Sequence, residues 1–141
     1  MSAVVWGSPD ARGIALGLEV TGTQAPVAYR IAFANHSATS QKLVLFATLD
    51  GRIRTRLVAR QGTAEEVRPA IMPAVPISTR YAIEVELAPG ETIVRDGVPA
   101  SFDLVGDAIV FAVHGGVPAL PAEIKSGEIA VQLPAHGTTL A

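Results

Sequence analysis

The strongest constraint in this chain is its period. In GIALGLEV, Ile14, Leu16, Leu18 and Val20 occupy alternate positions, and in VAYRIAF so do Val27, Tyr29, Ile31 and Phe33, with Arg30 on the opposite side. YAIEVEL sets Tyr81, Ile83, Val85 and Leu87 against Ala82, Glu84 and Glu86. Near the C-terminus, EIKSGEIAVQLP repeats the pattern with Ile129, Val131 and Leu133. Successive side chains of a strand point to opposite faces, so each stretch reads as a strand with one face in a core. Residues 41–49, QKLVLFATL, are apolar on both faces, as in a strand near the centre of a sheet. DAIVFAV over 107–113 is a strand ending at His114-Gly115-Gly116.

Turn chemistry separates these runs. Asn35-His36-Ser37 opens a polar crossing between two strands, with the Asn35 side chain bonding nearby backbone in an Asx-type turn. Asp50-Gly51 is a hairpin-turn signal, and Ala88-Pro89-Gly90-Glu91 is a tight turn. RIRTRLVAR alternates Ile53, Thr55, Leu57 and Ala59 with Arg52, Arg54, Arg56 and Arg60. Residues 61–79 then break the period, because Pro69, Pro73 and Pro76 each remove a ladder donor. That segment reads as a long irregular connection with at most a short edge strand; a helical turn over Thr63–Val67, capped by Thr63, is an alternative. VPALPAE is a further connection. The expectation is one all-β domain over residues 1–141, an antiparallel β-sandwich of about seven to nine strands, with loose ends at 1–12 and 134–141.

Composition narrows the function classes. With no cysteine, disulfides, thiolate nucleophiles and Cys-based metal centres are excluded. The net charge of -2 provides no general attraction to nucleic acid or anionic membrane, so neither is expected as a partner. No apolar run approaches the roughly 18 residues of a helical membrane span. The opening MSAVVWGSPDARG lacks a basic stretch followed by a long apolar one. The expectation is a cytoplasmic chain or a module excised from a longer protein, and the Asn35-His36-Ser37 sequon has no secretory signal to support its use.

The order of features resembles the immunoglobulin-like β-sandwich modules of bacterial proteins. The residues that carry the resemblance are Trp6-Gly7, the strand GIALGLEV, IAFANHS with its Asn-x-Ser turn, VELAPGE with its Leu-x-Pro-Gly-Glu turn, and the final IKSGEIAVQLP. The resemblance implies an immunoglobulin-like fold and an accessory role as spacer or interaction surface. Bacterial intracellular proteinase inhibitors are similar in plan and share the Asn-x-Ser and Pro-Gly-Glu turns, although no residue here matches an inhibitory loop.

Candidate sites are few. His36, His114 and His136 are scattered without the local pairing of zinc or copper ligands, so no metal and no cofactor is expected. His114-Gly115-Gly116 is similar to the oxyanion loop of α/β-hydrolases, but that chemistry needs a G-x-S-x-G elbow that this chain lacks. Carboxylate pairs such as Glu65-Glu66 have no aromatic-lined cleft to serve, and Trp6 alone is a candidate exposed stacking platform. Arg52, Arg54 and Arg56 share one strand face, either as a contact ladder for an acidic partner or as a solvated face opposite Glu84 and Glu86; the acidic net charge favours the second. Arg68 and Met72 lie in the proline-rich segment, a candidate contact loop. No catalytic residue is expected. The function expected is structural or protein-binding, with self-association through Val44 and Phe46 as a further option. The alternatives are an inhibitor acting through 61–79 and a ligand or metal site near His114.

Overall fold

The computed structural model describes residues 4–24, 26–47, 55–70, 82–117 and 120–133. In chain order these form β1 (Val5–Trp6), β2 (Ile14–Gly22), β3 (Ala28–Asn35), β4 (Gln41–Ala47), β5 (Thr55–Gln61), β6 (Ala64–Pro69), β7 (Ala82–Leu87), β8 (Thr92–Asp96), β9 (Gly106–Val117), β10 (Leu120–Lys125) and β11 (Ile129–Leu133). One sheet has the order β1-β2-β3-β8. A second runs β10-β9-β5-β6, with β11 also paired to β9, and β4 pairs with β7. Every pairing is antiparallel.

The two larger sheets bury their inner faces in one core, the arrangement of a β-sandwich. Ile14, Leu16, Leu18, Ile31 and Phe33 come from the first sheet, and Leu57, Ile109, Phe111 and Val113 from the second. These are the alternate positions expected from the sequence. A one-residue slip of β2 would turn Ile14, Leu16 and Leu18 to the other face. At roughly 1.5–3 kcal/mol per buried side chain, the loss is on the order of 5–9 kcal/mol, comparable with the stability of a whole domain.

Asn35 closes the corner at which the β3–β8 pair gives way to the β4–β7 pair. Its carboxamide is buried and uses all four of its bonds. The Asn35 Nδ2 donates to the Leu87 carbonyl at 3.0 Å and to the Thr39 carbonyl at 2.9 Å. Its Oδ1 accepts from the Ser37 N–H at 2.9 Å and the Ser37 hydroxyl at 2.6 Å. The first of these is the expected Asx turn. The backbone adds Asn35 N–H to Glu91 O at 2.9 Å and Gly90 N–H to Asn35 O at 2.8 Å. The Asn-His-Ser and Ala-Pro-Gly-Glu turns are therefore bonded to each other.

Strands extend into segments expected to be irregular or loose, so the count exceeds the seven to nine expected. Residues 64–69 are strand, not a helical turn. Gly62, at φ +60°, supplies the left-handed residue of a two-residue hairpin turn, and Arg60 with Glu65 and Val58 with Val67 then face each other across it. His114-Gly115-Gly116 lies inside β9 rather than after it, because Gly115 pairs with both Thr55 and Ile124. Most of VPALPAE belongs to β10, which takes a register shift between Leu120 and Ile124 to accommodate its irregular course along β9. Val5–Trp6, in the stretch expected to be loose, forms β1. The strand QKLVLFATL was expected near a sheet centre; among the described residues β4 pairs with β7 alone, and 48–50 lie outside the description, as does Gly51 of the expected hairpin turn.

A join between the sheets positions the site discussed below. The Gly127 N–H bonds the Val5 carbonyl at 3.2 Å, so the kink between β10 and β11 sits against β1. The approach is too close for side chains: a Cβ at Gly127 would lie 2.1 Å from Val5 Cγ1, and one at Gly7 would lie 1.8 Å from the Lys125 carbonyl oxygen.

Two outcomes follow. Asn35→Ala removes all four side-chain bonds at a buried corner and is expected to lower stability in urea unfolding by about 2–4 kcal/mol, whereas Ser40→Ala, exposed on the same crossing, stays within about 0.5 kcal/mol. Ala108 sits at φ +60° in the bulge of β9 opposite β11, a conformation that costs a non-glycine residue roughly 1–2 kcal/mol. Ala108→Gly should therefore raise stability by up to about 1 kcal/mol, against the usual direction of an Ala-to-Gly change in a strand.

Candidate functional site

The outer face of the five-stranded sheet follows from the register. Leu57 and Ala59 join the core cluster, so Arg56, Val58 and Arg60 lie on the opposite face, where Val58 is itself buried. Arg56 faces His114, and His114 faces Lys125 on its other side. Three basic residues thus form one row across β5, β9 and β10. Two positions along, Val58 faces Ala112; two further, Arg60 faces Glu65 on one side and Val110 on the other.

A cleft of about 360 Å³ opens between these rows. Its small residues are Ala112 and Ser126, and its long ones are Arg60, Glu65, His114, Lys125 and Glu128. Ser126 is buried in the kink between β10 and β11. Its hydroxyl accepts the Val113 N–H at 2.8 Å and donates to the Gly127 carbonyl at 2.8 Å. The hydroxyl proton is thereby committed to the backbone. Arg60 forms an ion pair with Glu128 across the cleft. Lys125 makes no ion pair among the described residues and is exposed.

His114 has its pKa lowered from the usual 6.5. Burial is the largest cause, the charges of Lys125, Arg56 and Arg60 add to it, and Glu65 opposes. The imidazole is therefore neutral at pH 7, with one nitrogen donating and the other accepting.

Of the interaction candidates, Arg56 stands on this face. Arg52, Arg54 and Met72 lie outside the described residues, as do Ile71 and His136. Arg68 is turned to the other side of β6. It lies 5.1 Å from the Phe102 ring centre, with Nε bonded to the Ser101 carbonyl at 3.1 Å and Nη2 to Glu66 at 2.9 Å. Glu66 in turn accepts the N–H groups of Asp103 and Leu104 at 3.1 and 2.8 Å. Burial alone would raise the Glu66 pKa, but those two N–H groups and Arg68 outweigh it and lower it. Arg68 and Glu66 thus fasten the 101–104 crossing to the edge strand. Trp6 is 42% exposed, and its indole rests over Gly17, where a Cβ would come within 3.0 Å of the ring. His36 is exposed at the Asn35 corner. Among the described residues, no group of three or more His, Asp and Glu is placed to hold a metal ion.

Sequence reasoning did not bring His114 and Lys125 to Arg56. The signal was present: the alternation of DAIVFAV continues through Val113, Gly115 and Val117, which carries His114 to the outer face of a longer strand. No family model matches the chain, and neither a curated protein nor a solved structure shows significant similarity to it.

In an NMR titration, the His114 midpoint is expected below 6.5, and Lys125→Gln should move it upward by removing a cation. The folded pKa lies below the unfolded one, so the unfolded state binds more protons between them. The His114 contribution to stability is accordingly complete above the unfolded value and is lost as pH falls from about 6.5 through the folded value.

Proposed function

We propose that this chain is a non-catalytic interaction module of immunoglobulin-like plan, and that it binds an acidic protein surface through the outer face of its five-stranded sheet. The observation that carries the reading is the row Arg56–His114–Lys125 beside the cleft. It sets the Arg56 and Lys125 charges on either side of a neutral imidazole, on one face of a chain whose net charge is -2. The opposite face of the same strands is core, so the row is held by a rigid support rather than by a loop. A surface of this kind steers an acidic partner and sets its orientation. The immunoglobulin-like reading draws support from the bonding between the two turns that carried the resemblance.

Residues 61–70 favour this reading over an inhibitory loop. β6 is paired with β5 from Ala64 to Pro69, and Arg68 is laid on Phe102 instead of projecting.

Cross-linking mass spectrometry in the native cell tests the proposal. Partners cross-linked to the wild-type chain should be lost in the double variant Arg56→Glu/Lys125→Glu and kept in Arg95→Glu, a charge reversal on β8 of the other sheet. Retention of the same partners in the double variant contradicts the proposal, as does equal loss in both variants.

A further inference from the structure

The four-stranded sheet ends at β8, and among the described residues no strand pairs with its outer edge. The bonds to β3 fix which backbone groups lie on that edge. The Asn35 N–H donates to the Glu91 carbonyl at 2.9 Å, and the Gly97 N–H donates to the Tyr29 carbonyl at 2.9 Å. Antiparallel pairs alternate between bonded and non-bonded, so Ile93 and Arg95 bond β3, and Thr92, Val94 and Asp96 aim their N–H and carbonyl groups away from it. The Arg95 guanidinium turns back to the Val94 carbonyl at 3.0 Å, as an outward carbonyl permits. The other described edges are blunted. β1 has two residues, β6 ends in Pro69, β10 holds Pro121 and a register shift, and β11 also carries a shift. The β4–β7 pair shifts register between Val44 and Phe46. β8 pairs with β3 over five consecutive residues, with neither a proline nor a shift. Val94, at its centre, is 49% exposed, more than any other large apolar side chain described.

We propose that β8 pairs antiparallel with β8 of a second copy of this chain, about a two-fold axis at Val94, so that two four-stranded sheets become one continuous sheet. The occupant follows from the self-complementarity of the strand. An axis at Val94 is the one register that pairs all of Thr92–Asp96 in both copies, and a shift of the axis to either side shortens the paired stretch. The outward groups of Thr92, Val94 and Asp96 then meet those of Asp96, Val94 and Thr92 in the second copy. Ile93 faces Arg95, and the two exposed Val94 side chains face each other and leave water. No like charges are opposed in this register, whereas an axis at Arg95 would set the two guanidinium groups face to face. The Thr92 hydroxyl meets the carboxylate of Asp96, which keeps Arg30 of its own copy as countercharge at 3.4 Å. A short edge with one apolar contact makes a small interface, so the dimer belongs to the weak, reversible class. The basic row stands on the other sheet, and this pairing leaves it open.

Sedimentation equilibrium of the whole chain over a concentration series tests the proposal, and the expected result is a reversible monomer–dimer equilibrium. Val94→Pro removes the donor of the central pair from both copies without touching a bond to β3, and should leave a monomer. Val94→Lys keeps the backbone donor but sets two ammonium groups opposite each other, and should weaken the dimer roughly tenfold. Val67→Lys makes the same change at an exposed valine of β6 and should leave the equilibrium unchanged. A dispersed amide spectrum of each variant verifies its fold. In a mixture of isotope-labelled and unlabelled chains, intermolecular nuclear Overhauser contacts should join Ile93 to Arg95. A chain still monomeric at about 1 mM overturns the proposal, and a photo-cross-linking residue at position 94 that then captures a different protein assigns the edge to that protein's strand instead. A dimer undiminished in Val94→Lys also overturns it, as does equal weakening by Val67→Lys.

Discussion

The carboxamide of Asn35 is the interaction on which the rest of this sandwich depends. Two turns far apart in the chain, 35–40 and 88–91, must meet for β3 to pair with β8 and β4 with β7. One buried side chain donates to Thr39 in the first turn and to Leu87 at the end of β7, just before the second, and accepts twice from Ser37. An unsatisfied amide at that depth costs more than its bonds contribute net, so the corner is either fully closed or strongly disfavoured. Once closed, it carries Leu43 and Leu87 into the core and leaves β3 free to pair on both edges.

The outer face of the five-stranded sheet is a consequence of the same core. Phe111 and Val113 are buried in β9, and the pleat then sends Ala112 and His114 outward. In β5, Leu57 does the same for Arg56. The close approach of β1 at Gly127 kinks the strand after Lys125 and buries Ser126. That kink places a small residue where the cleft needs space. The charged groups of the cleft are thus carried on strands whose opposite faces are packed in the core, and Arg60 is further tied to Glu128 by an ion pair.

Much of the fold was legible in the alternation. β2 and β3 bury Ile14, Leu16, Leu18, Tyr29, Ile31 and Phe33 as their period assigns, with Val27 buried just before β3 and Val20 of β2 partly buried. β11 buries Leu133 and packs Ile129 and Val131 partly buried against the core, and the Ala88–Glu91 turn closes with a 3.0 Å bond from the Glu91 N–H to the Ala88 carbonyl. β6 was not legible. Its AEEVRP has no apolar alternation, and what makes it a strand is the partner across the hairpin, Arg60 for Glu65 and Val58 for Val67. β10 was hidden by Pro121 within it and Pro118 just before it, and the length of β9 by a Gly-Gly that reads locally as an ending. The site was half legible for a related reason. An Arg every second residue marks a face, and Arg56 is indeed on it, but its neighbours His114 and Lys125 are set by pairings between strands far apart in sequence. The Asn35 corner shows the same limit: each turn was readable, and their bonding across 52 residues was not.

The central claim is that β9 lies between β5 and β10 in the register that sets His114 across from both Arg56 and Lys125. Cross-strand nuclear Overhauser contacts between backbone protons test it most directly. The account predicts contacts from His114 to Arg56 and from His114 to Lys125. Contacts instead from Arg56 to Val113 or Gly115 would mean a one-residue slip that turns His114 into the core, and would contradict it.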